Sequence, residues 1–407
     1  MKLMTMAWRN VRRNSRRTAL SATAIGLAAL TLILLFSLLA GLTQEMSHNL
    51  RTFYSGEIRL RHAQYDDFAH LNPLHLNVAN ASVLIQDILS LETIESVNAR
   101  TPFPASIYQD GENLNAPGMG MNMEGDSMTP DRFLVSGRLP KAGQREVLLG
   151  TRLAQDLDMG INDRFTALSM TMRRASNGMT FTVVGIVSFP IGDLNRSFYA
   201  PIDTVQRFLK LGDRTIDLTV KPQAEMDLNL IKKQIQQILD QYQLTDINIE
   251  RWDEISTTYA YLSLARLVYF IMGLVFYLLA STVIINTMMM VIFERTKEIG
   301  TLASLGMEPG PIVRMFLLEA MIISLIGSLA GTIIGSIITW ILQNTGIDMT
   351  QSMQGIDFEI SGVVYPRLTA FNMLYAFTTG VIVASLASLI PSRRAAKIKP
   401  VVAMQSL

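Results

Sequence analysis

The sequence predicts a membrane protein of four transmembrane α-helices, both termini cytoplasmic, with a large α+β extracytoplasmic domain between the first and second spans. Three observations carry this. Although 17% of residues are charged, four stretches carry almost no charge, and each is long enough to cross a hydrocarbon core of about 30 Å. Of the five segments outside these stretches, the N-terminus, the connection after the second stretch (Arg295, Lys297 and Arg314) and the tail read as basic, as in cytoplasmic segments. The block between the first and second stretches is polar and mixes strand alternation with helical spacing.

Composition narrows the class further. The 407 residues include 35 Lys+Arg against 34 Asp+Glu, a balance that offers nucleic acid nothing to hold. Cysteine is absent, so no disulfide framework or thiolate metal site exists. His48, His62, His70 and His75 fall in one short stretch without ligand spacing and read as solvated or capping residues.

Residues 1–18, MKLMTMAWRNVRRNSRRT, carry Lys2, Arg9, Arg12, Arg13, Arg16 and Arg17 and no acid. Leu3, Met6, Ala7 and Val11 share a helical face, with Trp8 near the interface. This predicts an amphipathic helix lying on the cytoplasmic membrane surface. Residues 19–42 form a charge-free first span. A cleaved signal peptide has an apolar core of only about 7–15 residues, so the longer run reads as an uncleaved helix. In the 43–260 domain, GEIRLRH, REVLLG, RFTAL, MTFTVVGIV and IDLTVK alternate as strands do, whereas Ala81–Leu91, Thr151–Asp158, Pro201–Leu211 and Asp227–Tyr242 have helical spacing. Segment 109–131, rich in Gly, Asn and Met, reads as a loop or flap. The block is large enough for two small lobes and shows no clear repeat. Residues 261–407 hold spans at about 262–292, 311–342 and 368–390, a cytoplasmic hairpin at 293–310 and a basic tail at 391–407. Between the last two spans, NTGIDMTQSMQGIDFEISGVVYP contains acids but no Lys or Arg.

No catalytic constellation is present: there is no GxxxxGK[ST] phosphate loop, no GxSxG elbow and no cysteine nucleophile. No catalytic, cofactor-binding or metal-ligating residues are therefore expected. Three membrane features go beyond plain spans. Gly327, Gly331 and Gly335 recur at i, i+4 and i+8, which lets another helix approach closely, although glycine is also simply frequent in membrane helices. Glu319 lies roughly two turns into the third span, where a carboxylate must face protein or water. Coupling and a structural hydrogen bond are both open to it. The hairpin ERTKEIGTLASLG puts Ile299, Leu302 and Leu305 on one side and Arg295, Lys297 and Glu298 largely elsewhere. Gly306 suits a helix C-cap, and Pro309 and Pro311 stop continuation. The product is a short amphipathic helix, either docking a soluble partner or merely turning the chain.

The hairpin ERTKEIGTLASLG, Glu319 with its glycine-rich span, and the tail PSRRAAKIKPVVAM resemble the FtsX-like permease domain. That domain occurs in ABC transporters of the MacB, LolC/LolE and FtsX type, the type VII or mechanotransmission superfamily. AWRNVRRNSRRTALS is similar to the family's N-terminal helix and first span, and SGRLPKAGQREVLLGTRLAQDLDMGINDRFTAL with FTVVGIV to the MacB-like periplasmic core domain. The resemblance covers most of the chain and is weaker over residues 60–130.

It implies a permease subunit of the cell inner membrane with its large domain periplasmic. Two permease chains, identical or paralogous, pair above two copies of a separate cytoplasmic ABC ATPase (LolD/MacB-like). That ATPase binds ATP and Mg²⁺; this chain holds no cofactor and is not itself the enzyme. By the resemblance, Glu294, Arg295, Lys297, Glu298, Ile299, Gly300, Leu302, Leu305 and Gly306 form the ATPase-coupling helix. Closure of the ATPases moves the spans and the periplasmic domain, with no substrate crossing the bilayer. MacB carries its ATPase on the same chain, whereas this sequence contains no phosphate loop, as in LolC/LolE. The implied task is release of lipoproteins from the inner membrane to a periplasmic carrier, consistent with chain length and the Met-rich segment 118–128. LRTFYSGEIRLRHAQY departs from the LolC/LolE pattern. MacB-like efflux of peptides or drugs with an adaptor, and FtsX-like signalling to a cell-wall hydrolase, are the alternatives.

Overall fold

The computed structural model describes residues 2–13, 15–109, 112–223, 226–255, 257–304, 307–348 and 362–397. They fall into two compact units. One is helical and joins the chain up to Gln44 to Ala260–Asp348 and the chain from Val363; the other, Glu45–Tyr259, is α+β.

The chain opens with helices α1 (Lys2–Arg13) and α2 (Ser15–Asn49), followed by a π-helical turn over Leu50–Tyr54. The α+β unit then lays down β1 (Ile58–His62), β2 (Val78–Ala79), α3 (Ala81–Leu89), the long strands β3 (Ile94–Gln109) and β4 (Glu112–Met121), β5 (Leu134–Gly137), β6 (Glu146–Gly150) and α4 (Thr151–Asp156). It continues through β7 (Arg164–Met170), β8 (Ser176–Val187), β9 (Phe198–Pro201), α5 (Ile202–Leu209), β10 (Arg214–Thr215), β11 (Asp217–Pro222), α6 (Leu228–Gln241), β12 (Ile247–Arg251) and α7 (Trp252–Ile255). The main sheet runs β12-β1-β11-β3-β4-β9-β6-β8-β5, with β7 pairing both β3 and β8.

Period and burial agree in this unit. In α6, Ile231, Ile235 and Leu239 recur every four residues and are fully buried; they share a core with Leu84 and Ile88 of α3 and with Ile58, Leu60, Leu218 and Val220 of the sheet. Each such side chain contributes roughly 1.5–3 kcal/mol on burial. Asp227 caps α6 by accepting the backbone N–H of Asn229 at 2.9 Å. A second core gathers Phe103, Phe165, Phe181, Phe198 and Phe208, with Phe103 and Phe198 edge to face at 5.7 Å between ring centres.

Two expectations are corrected here. Segment 109–131 is not wholly a loop: β4 pairs with β3 from Gln109↔Glu112 to Thr101↔Gly120. The Gly, Asn and Pro content hides the strand: Asn113, Asn115 and Pro117 lie on its exposed face, whereas Gly118 and Gly120 lie on the buried face, where a Cβ would stand 2.4 Å from Phe103 and 2.8 Å from Val205. Of the methionines of 118–128, Met119 is half-buried and the other three offer no soft surface. Met121, Met123 and Met128 are buried with Phe53, Phe189 and Tyr199.

The chain then forms α8 (Thr257–Glu294), α9 (Thr296–Ser304), α10 (Pro309–Thr345), the two-residue strands β13 (Ile347–Asp348) and β14 (Val363–Val364), α11 (Ala370–Ala387) and α12 (Leu389–Ala395). Four segments are long and apolar enough to cross a membrane: Ser15–Tyr54, Leu264–Glu294, Pro309–Thr345 and Ala370–Ala395. The α+β unit therefore lies between the first and second spans. Pro391 sits in the first turn of α12, where its missing N–H breaks no helical bond.

Candidate functional site

The hairpin between the second and third spans is built on three helices. Helical hydrogen bonding passes through the break between α8 and α9: the Arg295 N–H donates to the Val291 carbonyl at 3.0 Å and the Ile299 N–H to the Arg295 carbonyl at 2.9 Å. Residues 291, 295 and 299 thus share one face. Ile299, 2% exposed, joins Val291, Ile292, Ile312, Met315 and Phe316 in one core. Gly300 is buried, while Glu294, Lys297, Glu298, Thr301 and Ser304 are exposed. Leu302 lies within α9; the expected roles of Leu305 and Gly306 fall outside the described residues. Pro309 begins α10, a position that tolerates proline.

Arg295 corrects the sequence reading. Placed with the polar side, it is instead buried, its side chain only 7% exposed, because the turn between α8 and α9 preserves the four-residue period. Its neighbourhood contains the buried Glu319, 3% exposed. The Glu319 carboxylate feels the charge of Arg295 and accepts the amide N–H of Asn10 at a long 3.5 Å. Arg295 Nε stands 4.0 Å from Glu298 Oε2, beyond hydrogen-bond reach, and its Nη2 has no hydrogen-bond partner among the described residues.

The N-terminal helix is the second correction. It does more than lie on a surface: Ala7 and Val11, 0% and 5% exposed, belong to the same core as Ile299 and Phe316. Met4, Met6 and Trp8 stay exposed. Arg13 Nη2 pairs with Glu298 Oε1 at 3.2 Å, and both guanidinium Nη atoms of Arg17 reach Glu294, one at 2.5 Å. Sequence reasoning missed these pairs, although Arg13/Arg17 and Glu294/Glu298 share the same four-residue spacing. Exposed pairs of this kind contribute little by themselves; the apolar packing of Ala7 and Val11 sets the geometry.

The glycines of α10 face α2. A Cβ on Gly331 would stand 2.1 Å from the Gly26 carbonyl oxygen, and one on Gly327 2.4 Å from that of Ala22. Gly335 lies against Leu30. The matching period of Ala22, Gly26 and Leu30 lets two backbones meet. On α11, Gly380 meets Ser328 of α10 and Tyr277 of α8, and the Tyr277 hydroxyl donates to the Ala376 carbonyl. Close backbone contact makes these helices a packed unit into which the hairpin core is continuous.

Comparison with known proteins follows the same division. Residues 18–238 match the MacB-like periplasmic core domain, and residues 270–400 match the FtsX-like permease C-terminal family. Among curated proteins, the macrolide export ATP-binding/permease protein MacB of Aggregatibacter actinomycetemcomitans is 29% identical over 159 residues, covering 37% of this chain and 24% of that protein. The macrolide export ATP-binding/permease protein MacB 2 of Yersinia pestis bv. Antiqua (strain Antiqua) is 24% identical over 215 residues, 52% of this chain and 30% of that protein. The chain thus spans under a third of the length of either relative. Among solved structures, the periplasmic region of MacB from Actinobacillus actinomycetemcomitans aligns over 49% of this chain and 91% of its own at 17% identity, with a TM-score of 0.38.

Proposed function

The chain belongs to the MacB/FtsX-type ABC permeases, and on that premise we propose that it transmits work: ATP hydrolysis in a separate nucleotide-binding subunit, where ATP and Mg²⁺ bind, drives movement of the extracytoplasmic domain. The observation that carries this reading is the two-sidedness of α9. Arg295 before it, with Ile299 and Gly300, faces the helical core; Lys297, Glu298, Thr301 and Ser304 face outward. A helix held this way moves with the adjoining spans while offering a charged face to a cytoplasmic partner. In this reading the ATPase touches Lys297, Glu298, Thr301 and Ser304, and the inward residues pass the displacement on. A second permease chain and an inner-membrane location complete the assembly.

The finer task we propose is lipoprotein release from the inner membrane. A second reading, export of macrolide-like compounds, is favoured by the names of the relatives. The docking surface is tested by Lys297→Glu combined with Thr301→Trp. The variant should insert and unfold like the wild type, yet no longer co-purify with the ATPase. Full co-purification sinks the docking role. ATP turnover of the intact complex in the presence of purified lipoprotein or of a macrolide separates the two cargoes, since only the true cargo should change it.

A further inference from the structure

The α+β unit carries an open sheet edge along β4. β4 pairs with β3 along its length but with β9 only from Gly118↔Phe198 to Met121↔Pro201. Among the described residues, no strand pairs with the other side of β4 from Glu112 to Pro117. The chain before β9 turns away into a 3-10 helix at Asp193–Arg196. Asn195 is held there by the Phe189 backbone, its Oδ1 accepting the N–H and its Nδ2 donating to the carbonyl, both at 2.8 Å. Among the described residues, no strand takes the place beside Glu112–Pro117 that a longer β9 would fill.

Proline fixes which backbone groups point into that place. Pro104 and Pro117 lie directly opposite each other. Neither has an N–H, so this is a non-hydrogen-bonded pair of the antiparallel ladder. Alternation makes Ser106↔Asn115 and Tyr108↔Asn113 non-hydrogen-bonded pairs too. The N–H and C=O groups of Asn113 and Asn115, and the Pro117 carbonyl, therefore point away from β3. Met119, two residues on, points the same way and there meets Tyr199 of β9. The open edge spans roughly 16 Å, and no Lys or Arg lies on Glu112–Pro117 to blunt it.

Beside the edge runs a groove of about 940 Å³, lined by Pro102, Pro104, Pro117, Met119, Leu168 and Met170, among others. The solvent side of an antiparallel sheet is ordinarily polar; here Leu168 and Met170 are 39% and 51% exposed. Among the described residues, His70 is the one titratable group on the groove apart from tyrosines. We propose that an extended, uncharged peptide segment docks here by strand addition, pairing its backbone with Asn113, Asn115 and Pro117 and placing alternate apolar side chains in the groove. A purely apolar small ligand would leave the edge amides unpaired, which is why the geometry selects a polypeptide. The inference does not depend on which cargo the transporter takes.

The probe is a fluorescein-labelled peptide of about eight residues alternating Val and Thr, titrated by anisotropy against the full chain in nanodiscs. Hydrogen exchange on the unaltered protein gives the second readout. The Asn113 and Asn115 amides should exchange fast in the free protein and become protected with peptide, while Leu114 and Ala116 stay protected throughout. N-methylation of alternate peptide residues, Asn113→Pro, and Met170→Arg should each weaken binding about tenfold or more, the first two by removing backbone hydrogen bonds. The proposal is overturned if the parent peptide fails to bind at millimolar concentration or if the N-methylated peptide binds equally well. Protection of the Asn113 and Asn115 amides without peptide also overturns it, because the edge would then already be covered.

Discussion

Arg100 in the α+β unit and Arg295 in the helical unit are both buried arginines near a buried carboxylate, yet they are served very differently. Arg100 is 1% exposed and its partner Asp126 likewise. Arg100 Nε donates to Asp126 at 3.1 Å, Nη1 to the Phe53 carbonyl at 2.8 Å, and Nη2 to the Thr52 carbonyl at 3.1 Å and the Ser127 hydroxyl at 2.8 Å. Asp126 also accepts the Met128 N–H at 2.8 Å. Every arm is satisfied, and three carbonyls of the π-helical turn after α2 are tied to the sheet through one side chain. Glu319 instead accepts one long contact from the Asn10 amide, and Arg295 Nη2 has no hydrogen-bond partner among the described residues. A saturated buried network fixes one arrangement, whereas an unsaturated one pays for burial without locking its geometry. The first cluster is saturated; the second is not.

The largest test of that contrast is Arg100→Met. It strands the Asp126 carboxylate in the interior, and removing one partner of a buried pair costs about 3–5 kcal/mol. Chemical unfolding of the full chain should show the loss. A cost under about 1 kcal/mol would make the two clusters equivalent and break the comparison. Glu319→Gln comes next. The amide oxygen can still accept from Asn10, and the replaced contact is already long, so stability should fall by only about 1–2 kcal/mol. ATP turnover of the complex should change more than stability does. A stability loss matching that of Arg100→Met, with turnover intact, would assign Glu319 a purely structural place.

The contrast also shows what can be read from one sequence. The spans were legible because charge is absent over long runs, and α3, α4, α5 and α6 because their apolar residues keep period. Leu84 and Ile88, like Ile231 and Ile235, repeat at the interval a packed face requires. β3 and β4 were not legible: Pro102, Pro104, Pro117 and three asparagines argue locally against a strand, and only pairing along the ladder overrules them. The Gly327–Gly331–Gly335 face was visible, but its partner Gly26 was hidden in an unremarkable span. The amphipathic reading of the hairpin sets Arg295 apart from Ile299; its burial follows from the helical phase carried across the α8–α9 break, which puts residues 291, 295 and 299 on one face. The pairing of Arg100 with Asp126 brings together residues from a strand and a loop, and neither segment's pattern signals it.

The smallest effect concerns an ion pair at the surface. Arg138 forks onto Glu146, with Nη2 to Oε1 at 2.6 Å and Nη1 to Oε2 at 2.7 Å. Hydrogen bonding from that guanidinium, aided by the Lys141 backbone N–H, holds the Glu146 carboxyl down to about 2. A carboxyl depressed in the folded state stabilises fully above its ordinary value of 4.5 and loses that contribution as pH falls through about 2. The melting-temperature gap between wild type and Arg138→Ala should therefore be constant from neutral pH to about 5 and close between 4.5 and 2. The gap itself should be small, since half-exposed pairs are screened by water and salt. If it exceeds the effect of Glu319→Gln, burial is not what ranks these clusters, and the distinction between them must be sought in packing instead.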